Sequence, residues 1–447
     1  MELELRRISV VGLGKLGLPL AACFAWRGFA TIGLDVDSSK LQAVRQGVST
    51  IYEPRLQEIM CALGGRLAAT DDYEKTVMDS DVTFILVPTP SEAGGGFSLQ
   101  YVLEVAQHLG DALRKKSAYH LVVLTSTVLP GSTEKELRPL LEKRSGKQCI
   151  RDFGLCYNPE FVALGSVIHN LLNPDFILIG ESDTQAGSML AGLYKRFCEN
   201  SPSVARMNFV NAELTKLAVN TYVTTKISFA NTLARICERL PGADVDVVTA
   251  ALGLDSRIGG RYFKGAIGYG GPCFPRDNLA LANFSRSVNV PATLAEATDS
   301  FNRQQVQWLL ELIKGYLPPE GKVGILGLAY KPYSDVVEEA PGLLLAQALV
   351  KEGIGVIAFD PVAMDNARQV LDTSVTLAVS LQECIQKTEV VVVITPWEEF
   401  KQVSSKEFSG HKQPCVLIDC WRILERMEQV PDIIYVPLGI GSLNTGR

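Results

Sequence analysis

The chain has 447 residues, 47% hydrophobic, 21% charged and 8% aromatic, with a formal net charge of −6 and ten cysteines. At roughly 100–200 residues per domain it holds two to four domains, each able to bury a core without disulfides or metal, which excludes disorder and the small disulfide scaffolds. The acidic balance argues against a sequence-independent grip on nucleic acid or an anionic membrane, since both need clustered Lys and Arg.

The first predicted element lies in the apolar run Ile8 to Trp26, which Lys15, Pro19 and three glycines interrupt and the acids of Met-Glu-Leu-Glu-Leu precede. A signal peptide wants bases there, and a membrane span does not tolerate such interruptions. The run therefore reads as a buried strand, Ile8 to Gly12, turning into a helix that begins near Lys15. Gly12-Leu13-Gly14-Lys15-Leu16-Gly17 is G-x-G-x-x-G, and a second apolar run, Ala30 to Leu34, ends in Asp35. Together they make a dinucleotide-binding βαβ unit. Gly12 permits the tight turn, Gly14 lets the backbone approach a pyrophosphate, and Gly17 lets helix and strand pack. The N–H groups around Lys15 and Leu16, at the helix start, face the phosphates. Asp35 is suited to the adenosine ribose hydroxyls and repels a 2′-phosphate, which favours NAD over NADP, with Lys40 close by in sequence.

Strand-like runs follow at Val82 to Val87 and Leu121 to Ser126, with helical segments between them, the rhythm of a doubly wound sheet. Ligands of such sheets bind beyond the carboxyl ends of the strands, so Pro88, Thr89 and Thr127 are expected at the nicotinamide end of the cofactor. From Asn211, a candidate N-cap, to about Leu240 there is no Gly or Pro, which predicts one long helix bridging two halves and apolar enough to pack against another subunit. Lys216 and Asn220 lie on it at i and i+4 and address one volume. A third block, with strands Lys322 to Gly327, Gly355 to Phe359 and Val390 to Thr395 and a helix near Leu343 to Glu352, repeats the opening with fewer glycines; Ser442 to Arg447 reads as a frayed end.

The cysteines form no C-x-x-C pair, and nine sit in ordinary settings that predict reduced, buried thiols. Cys273 differs. It lies in Gly268-Tyr269-Gly270-Gly271-Pro272-Cys273-Phe274-Pro275-Arg276-Asp277, a turn that exposes it, with Asp277 four residues on. A thiolate is a strong nucleophile, and a nearby cation raises its fraction; Lys216 is the candidate cation. Taken singly, Cys273 also reads as a structural thiol in a turn and Lys216 as a solvated lysine.

Seven motifs in order resemble the UDP-glucose/GDP-mannose dehydrogenase family, the nucleotide-sugar 6-dehydrogenases, over nearly the whole chain. They are Val11 to Pro19, Val87-Pro88-Thr89-Pro90, Ser126-Thr127-Val128, Asn158-Pro159-Glu160-Phe161, Lys216 with Asn220, the Cys273 loop and Gly327-Leu328-Ala329-Tyr330-Lys331. The resemblance implies an α/β fold: two Rossmann-like doubly wound domains joined by a long central helix and a helical dimerisation domain. The expected boundaries are 1–205 for NAD, 206–305 for the central domain with the cysteine loop and 306–447 for the nucleotide sugar. It also implies a four-electron oxidation of a sugar C6 alcohol by NAD, UDP-glucose to UDP-glucuronate being the expected case. Cys273 would trap the aldehyde as a thiohemiacetal that becomes a thioester. Lys216 and Asn220 would stabilise oxyanions, Asp277 with a water on Thr127 would move protons, and Glu160 would assist hydrolysis. Phe161, Tyr262, Lys264, Gly270 and Lys331 would join Glu160, Lys216 and Asn220 in contacting substrate. Arg257 would reach into a partner's site, which implies a homodimer or dimer-based oligomer. A cytoplasmic location is expected, with no metal, nucleic acid or membrane involved.

The sequence departs from the family pattern at four places. Glu338, Phe176 and Trp421 stand where arginines are usual, with Arg422 a candidate replacement for the last, and Val162-Ala163-Leu164 replaces charged residues before Gly165. These leave UDP-N-acetylhexosamine and GDP-mannose open as substrates. A two-electron β-hydroxyacid-type dehydrogenase and a non-catalytic NAD or nucleotide-sugar binder are the competing functions.

Overall fold

The computed structural model describes residues 4–441 except 410, 412 and 413, so the predicted frayed end at Ser442 to Arg447 lies outside the described residues. The chain forms two compact units, Met1–Ala218 and Val219–Arg447, whose boundary falls inside the helix Phe209–Cys237.

The first unit is an α/β sheet of eight strands: β1 (Arg7–Val11), β2 (Ala30–Leu34), β3 (Leu67–Thr70), β4 (Val82–Ile85), β5 (Leu121–Leu124), β6 (Gly154–Tyr157), β7 (Phe176–Glu181) and β8 (Ser203–Met207). Their order is β3-β2-β1-β4-β5-β6-β7-β8, and every pairing is parallel except β6 with β7. The central strands are buried on both faces, which is why β4 and β5 read as unbroken apolar runs rather than alternating ones. Phe84 and Val123 join Ile8, Val10 and Phe24 in one apolar layer; Ile85, Val122 and Leu124 join Val11 and Leu109 in the other. The strand order reverses between β1 and β4, the switch point at which open sheets bind ligands. There Gly12, at φ +93°, donates its N–H to Leu34 O at 2.7 Å, while Leu86 N–H reaches Val11 O at 2.8 Å.

In the second unit the remainder of the long helix is followed by helices Val245–Gly253, Phe274–Ser287 and Thr293–Lys314. Six strands then follow: β9 (Lys322–Leu326), β10 (Gly355–Phe359), β11 (Val375–Leu377), β12 (Val390–Val393), β13 (Cys415–Asp419) and β14 (Ile433–Pro437). All are parallel, in the order β11-β10-β9-β12-β13-β14. This repeats the order of the first six strands of the other sheet. The turn bonds repeat too: Gly327, at φ +109°, donates to Phe359 O at 2.8 Å, and Ile394 N–H to Leu326 O at 2.9 Å. The two copies differ in what comes next. After Gly12 the helix begins at Gly17; after Gly327 it begins only at Pro341, with Leu328 to Ala340 interposed.

Three expectations need correcting. The first helix starts at Gly17, not near Lys15. The long helix starts at Phe209, and Asn208 rather than Asn211 caps it, its Oδ1 accepting the Asn211 N–H at 3.1 Å; the helix ends at Cys237, short of Leu240. Cys61 is exposed, whereas the other eight cysteines outside the Cys273 loop are buried as expected. Among the described residues no helix is long and apolar enough to cross a membrane, and no cluster of His, Cys, Asp or Glu could hold a metal ion.

Candidate active site

In the first unit the glycine turn fits a dinucleotide. A Cβ on Gly12 would overlap Leu86 O, and one on Gly17 would overlap Gly12 O, so both glycines are there for close backbone approach. Gly14 is the opposite case: a Cβ there would meet no protein atom within 4 Å. That open space lies over a helix start with no side-chain cap and no acid in its first turn, between Leu16 and Gly17, so its N–H groups suit a pyrophosphate. Asp35 is buried at the end of β2. Its Oδ2 accepts from Leu13 N–H at 2.8 Å and Lys40 Nζ at 3.2 Å, and its Oδ1 accepts from Asp37 N–H at 2.9 Å. A carboxylate has about four acceptor positions. Capacity thus remains for a ribose hydroxyl, and Lys40, predicted near the ribose, is the ion-pair partner of the same acid.

Beyond β4 and β5, the Thr89 hydroxyl donates to Thr127 O at 2.8 Å, so the two predicted threonines meet at the switch point, Thr89 following Pro88. Glu160 and Phe161 follow β6. Lys216, with 7% of its surface exposed, donates from Nζ to Glu160 O at 2.7 Å and lies 4.7 Å from the Phe161 ring centroid, a cation–π contact. Phe176, which stands where the family has arginine, packs its ring 4.8 Å from Phe161. Burial pushes the Glu160 carboxyl up to about 7; the Tyr194 hydroxyl, 3.3 Å away, and Lys216 act in the opposite direction. Tyr194 also donates to Asn158 Oδ1, and Asn158 Nδ2 donates to Leu178 O at 2.9 Å, which fixes the residue two before Glu160.

Sequence reasoning missed two buried acids that hold this half in shape. Glu53 accepts from Gly165 N–H at 2.7 Å and Val167 N–H at 2.8 Å, closing the far end of the Glu160 loop. Glu213, on the long helix, accepts from Gly131 N–H at 2.5 Å and Thr133 N–H at 2.8 Å and so fixes the segment after Thr127. A buried acid in an apolar setting was the only available signal.

In the second unit Cys273 is exposed and immediately precedes the helix Phe274–Ser287, a position where backbone N–H groups favour a thiolate. Asp277, one turn later and 1% exposed, sends its N–H to Cys273 O at 2.8 Å. Its Oδ2 accepts from Asn220 Nδ2 at 2.6 Å, so two of the predicted catalytic residues meet directly. Gly270 has no room for a Cβ, which would overlap Glu339 O. Tyr262 is exposed at φ +58°, and Lys264 lies 3.8 Å from Asp246. Lys331 approaches the Tyr330 ring, with Nζ 5.9 Å from its centroid. Arg257 is paired with Asp255 at 2.6 Å, its side chain 86% exposed.

Arg422, the candidate replacement at Trp421, is engaged elsewhere. Its guanidinium is buried and pairs with both oxygens of Asp246 at 2.8 and 2.9 Å, while donating to Leu438 O and Gly265 O at 2.7 Å. All of its directed donors go to protein. Trp421 is likewise engaged, Nε1 donating to Ile394 O at 2.6 Å, and Glu338 has its backbone O on Gly271 N–H at 3.0 Å with its side chain exposed.

Residues 6–198, 210–304 and 324–426 match the NAD binding, central and UDP binding domains of the UDP-glucose/GDP-mannose dehydrogenase family. The chain is 35% identical over 425 residues to UDP-glucose 6-dehydrogenase AglM of Haloferax volcanii, covering 94% of this chain and 98% of that one. It is 34% identical over 421 residues to GDP-mannose 6-dehydrogenase of Pseudomonas aeruginosa, covering 91% and 95%. Its structure is similar to that of a UDP-glucose dehydrogenase from Pyrobaculum islandicum, with a TM-score of 0.89, 34% identity and coverage of 98% and 99%. With three domains matched in order and relatives of near-equal length, the chain belongs to the UDP-glucose/GDP-mannose dehydrogenase family and is an NAD-dependent nucleotide-sugar 6-dehydrogenase.

Proposed function

We propose that the enzyme oxidises UDP-glucose to UDP-glucuronate through a covalent intermediate on Cys273. Gly12, Gly14, Lys15, Leu16, Gly17, Asp35, Lys40, Pro88, Thr89 and Thr127 would hold NAD, which when bound would supply the two-electron acceptor for each of the two oxidations. Asp277 and a water on Thr127 receive the proton of the C6 alcohol as the aldehyde forms. Cys273 Sγ then bonds to C6, and its proton passes to the carbonyl oxygen, giving a thiohemiacetal. Lys216 and Asn220 stabilise the oxyanion on the way. The second oxidation leaves a thioester. Glu160 takes a proton from water, which attacks the thioester carbon; the C–S bond breaks and the thiolate leaves, to be reprotonated. One alcohol, two NAD and one water give one acid, two NADH and two protons.

The observation that carries this reading is the exposed Cys273 at a helix start, one turn from the buried Asn220–Asp277 pair. A two-electron hydroxyacid dehydrogenase has no use for that thiol. With UDP-glucose and NAD the purified enzyme is expected to form about two NADH per sugar, and Cys273→Ser to abolish nearly all formation of the uronate while NAD still binds. One NADH per sugar, or full activity of the serine variant, would overturn the covalent mechanism. Glu338, Leu164, Phe176 and Trp421 favour a second reading, the same chemistry on GDP-mannose or a UDP-N-acetylhexosamine, and turnover across a panel of nucleotide sugars decides between them. Arg257 and the 206–305 region are assigned to a homodimer interface on the same reading.

A further inference from the structure

We propose that Asn231 and Asn302 are positioning residues for the Cys273 thiol, an inference that rests on the reading of Cys273 as nucleophile. The segment from Tyr262 to Pro272 contains no helix or strand, yet Phe263, Ala266, Ile267 and Tyr269 on it are buried. Buried backbone without a ladder must find its hydrogen-bond partners elsewhere. Besides Arg422 on Gly265 O and Glu338 O on Gly271 N–H, it finds them in two side-chain amides. Asn231, on the long helix, accepts from Ala266 N–H at 2.8 Å and donates to Ile267 O at 2.8 Å. Asn302, on the helix Thr293–Lys314, accepts from Tyr269 N–H at 2.8 Å and donates to Tyr269 O at 2.9 Å.

Each amide offers one donor and one acceptor in a plane, as a neighbouring peptide in a sheet does. A carboxylate has no donor, and a hydroxyl donates and accepts through a single atom, so neither presents the two functions side by side. The loop is pressed against these anchors: a Cβ on Gly268 would come within 2.7 Å of Asn302 Oδ1, and one on Gly271 within 2.6 Å of the Tyr330 ring. Asn278, next to Asp277, donates to the Tyr269 hydroxyl at 2.8 Å, which ties the clamped loop to the helix that follows Cys273. Both clamping amides are committed to backbone groups, so they act on Cys273 only by fixing where the loop delivers it. A displacement of about 1 Å in a reacting group can cost on the order of 100-fold. A thiol delivered late or off line lets the aldehyde escape before it is trapped.

The experiment measures NADH and uronate together, with hydroxylamine present to trap free aldehyde and any hydroxamate it forms from the thioester counted as uronate. Wild type is expected to give about two NADH per uronate and no oxime. Asn302→Ala is expected to lower kcat by about 100-fold, to leave KM for NAD within about twofold, and to raise NADH per uronate well above two with oxime appearing. Asn302→Asp, of nearly the same shape, keeps the acceptor and loses the donor; it is expected to show the same excess at smaller size, and it decides the matter if the alanine variant does not fold. A folded variant that is slow but still makes two NADH per uronate without oxime has lost general integrity, and that result overturns the inference. Cys273→Ser run alongside separates the two readings: oxime from it supports the covalent route whatever the asparagine variants do, whereas uronate at the wild-type rate removes the route and the inference with it.

Discussion

Burial pushes the Glu160 carboxyl up to about 7, well above the 4.5 of an unperturbed glutamate. As the base for thioester hydrolysis it must be ionised, so activity should fall as pH drops below about 7, approaching tenfold per unit, and level off above it. The same shift has a stability consequence of fixed sign. Between about 4.5 and 7 the folded chain holds a proton that the unfolded chain has released, so this group's contribution to stability is fully present at low pH and is lost as pH rises through about 7. Glu160→Gln should remove the bend in the kcat profile and flatten the fall in melting temperature between pH 5 and 7.5. A variant that retains both would show that another group titrates there. Neither property is visible in Asn-Pro-Glu-Phe as a string, because the burial that raises the carboxyl exists only once the chain has folded.

At the scale of the strand-turn-helix element, the three fingerprint glycines separate into two kinds. Gly12 and Gly17 are closed off by backbone, whereas Gly14 faces open space. Gly17→Ala should therefore destabilise the first unit by more than about 3 kcal/mol, since main chain cannot give way as a side-chain tip can. Gly14→Ala should leave the melting temperature nearly unchanged and raise KM for NAD, because its methyl group enters only the space reserved for the pyrophosphate. Equal effects of both on stability would refute this division. Elements of this kind were legible because their chemistry is local: Gly12 to Asp35 carries strand, turn and acid within one short stretch. Element ends were less so. Asn208 caps the long helix in place of Asn211, and either amide would have satisfied the pattern. The clamps were not legible at all. Glu53 meets backbone 112 and 114 residues away, and Glu213 meets it 82 and 80 residues away. Their partners are N–H groups that every residue type but proline supplies, so no pattern of side chains announces them.

Across the whole molecule, the long helix leaves Tyr222, Phe229 and Ile236 exposed by 62%, 52% and 49%. They are spaced seven apart and so fall on one face, the spacing by which one helix meets another. On the dimer reading this stripe is the seam: wild type should sediment as a dimer and Phe229→Asp as a monomer, and a monomeric wild type would defeat the assignment. The two sheets of shared strand order carry a further consequence. Asp360 occupies in the second sheet the place of Asp35 in the first, but its oxygens already take the N–H groups of Leu328, Ala329, Val362 and Ala363 and the Trp397 indole. Five donors fill a carboxylate that has about four acceptor positions. Asp35, with three, keeps one for a ribose. A chain with two nucleotide folds must keep its ligands from exchanging places, and here the saturated Asp360 leaves the second fold no acceptor for the ribose of a second dinucleotide.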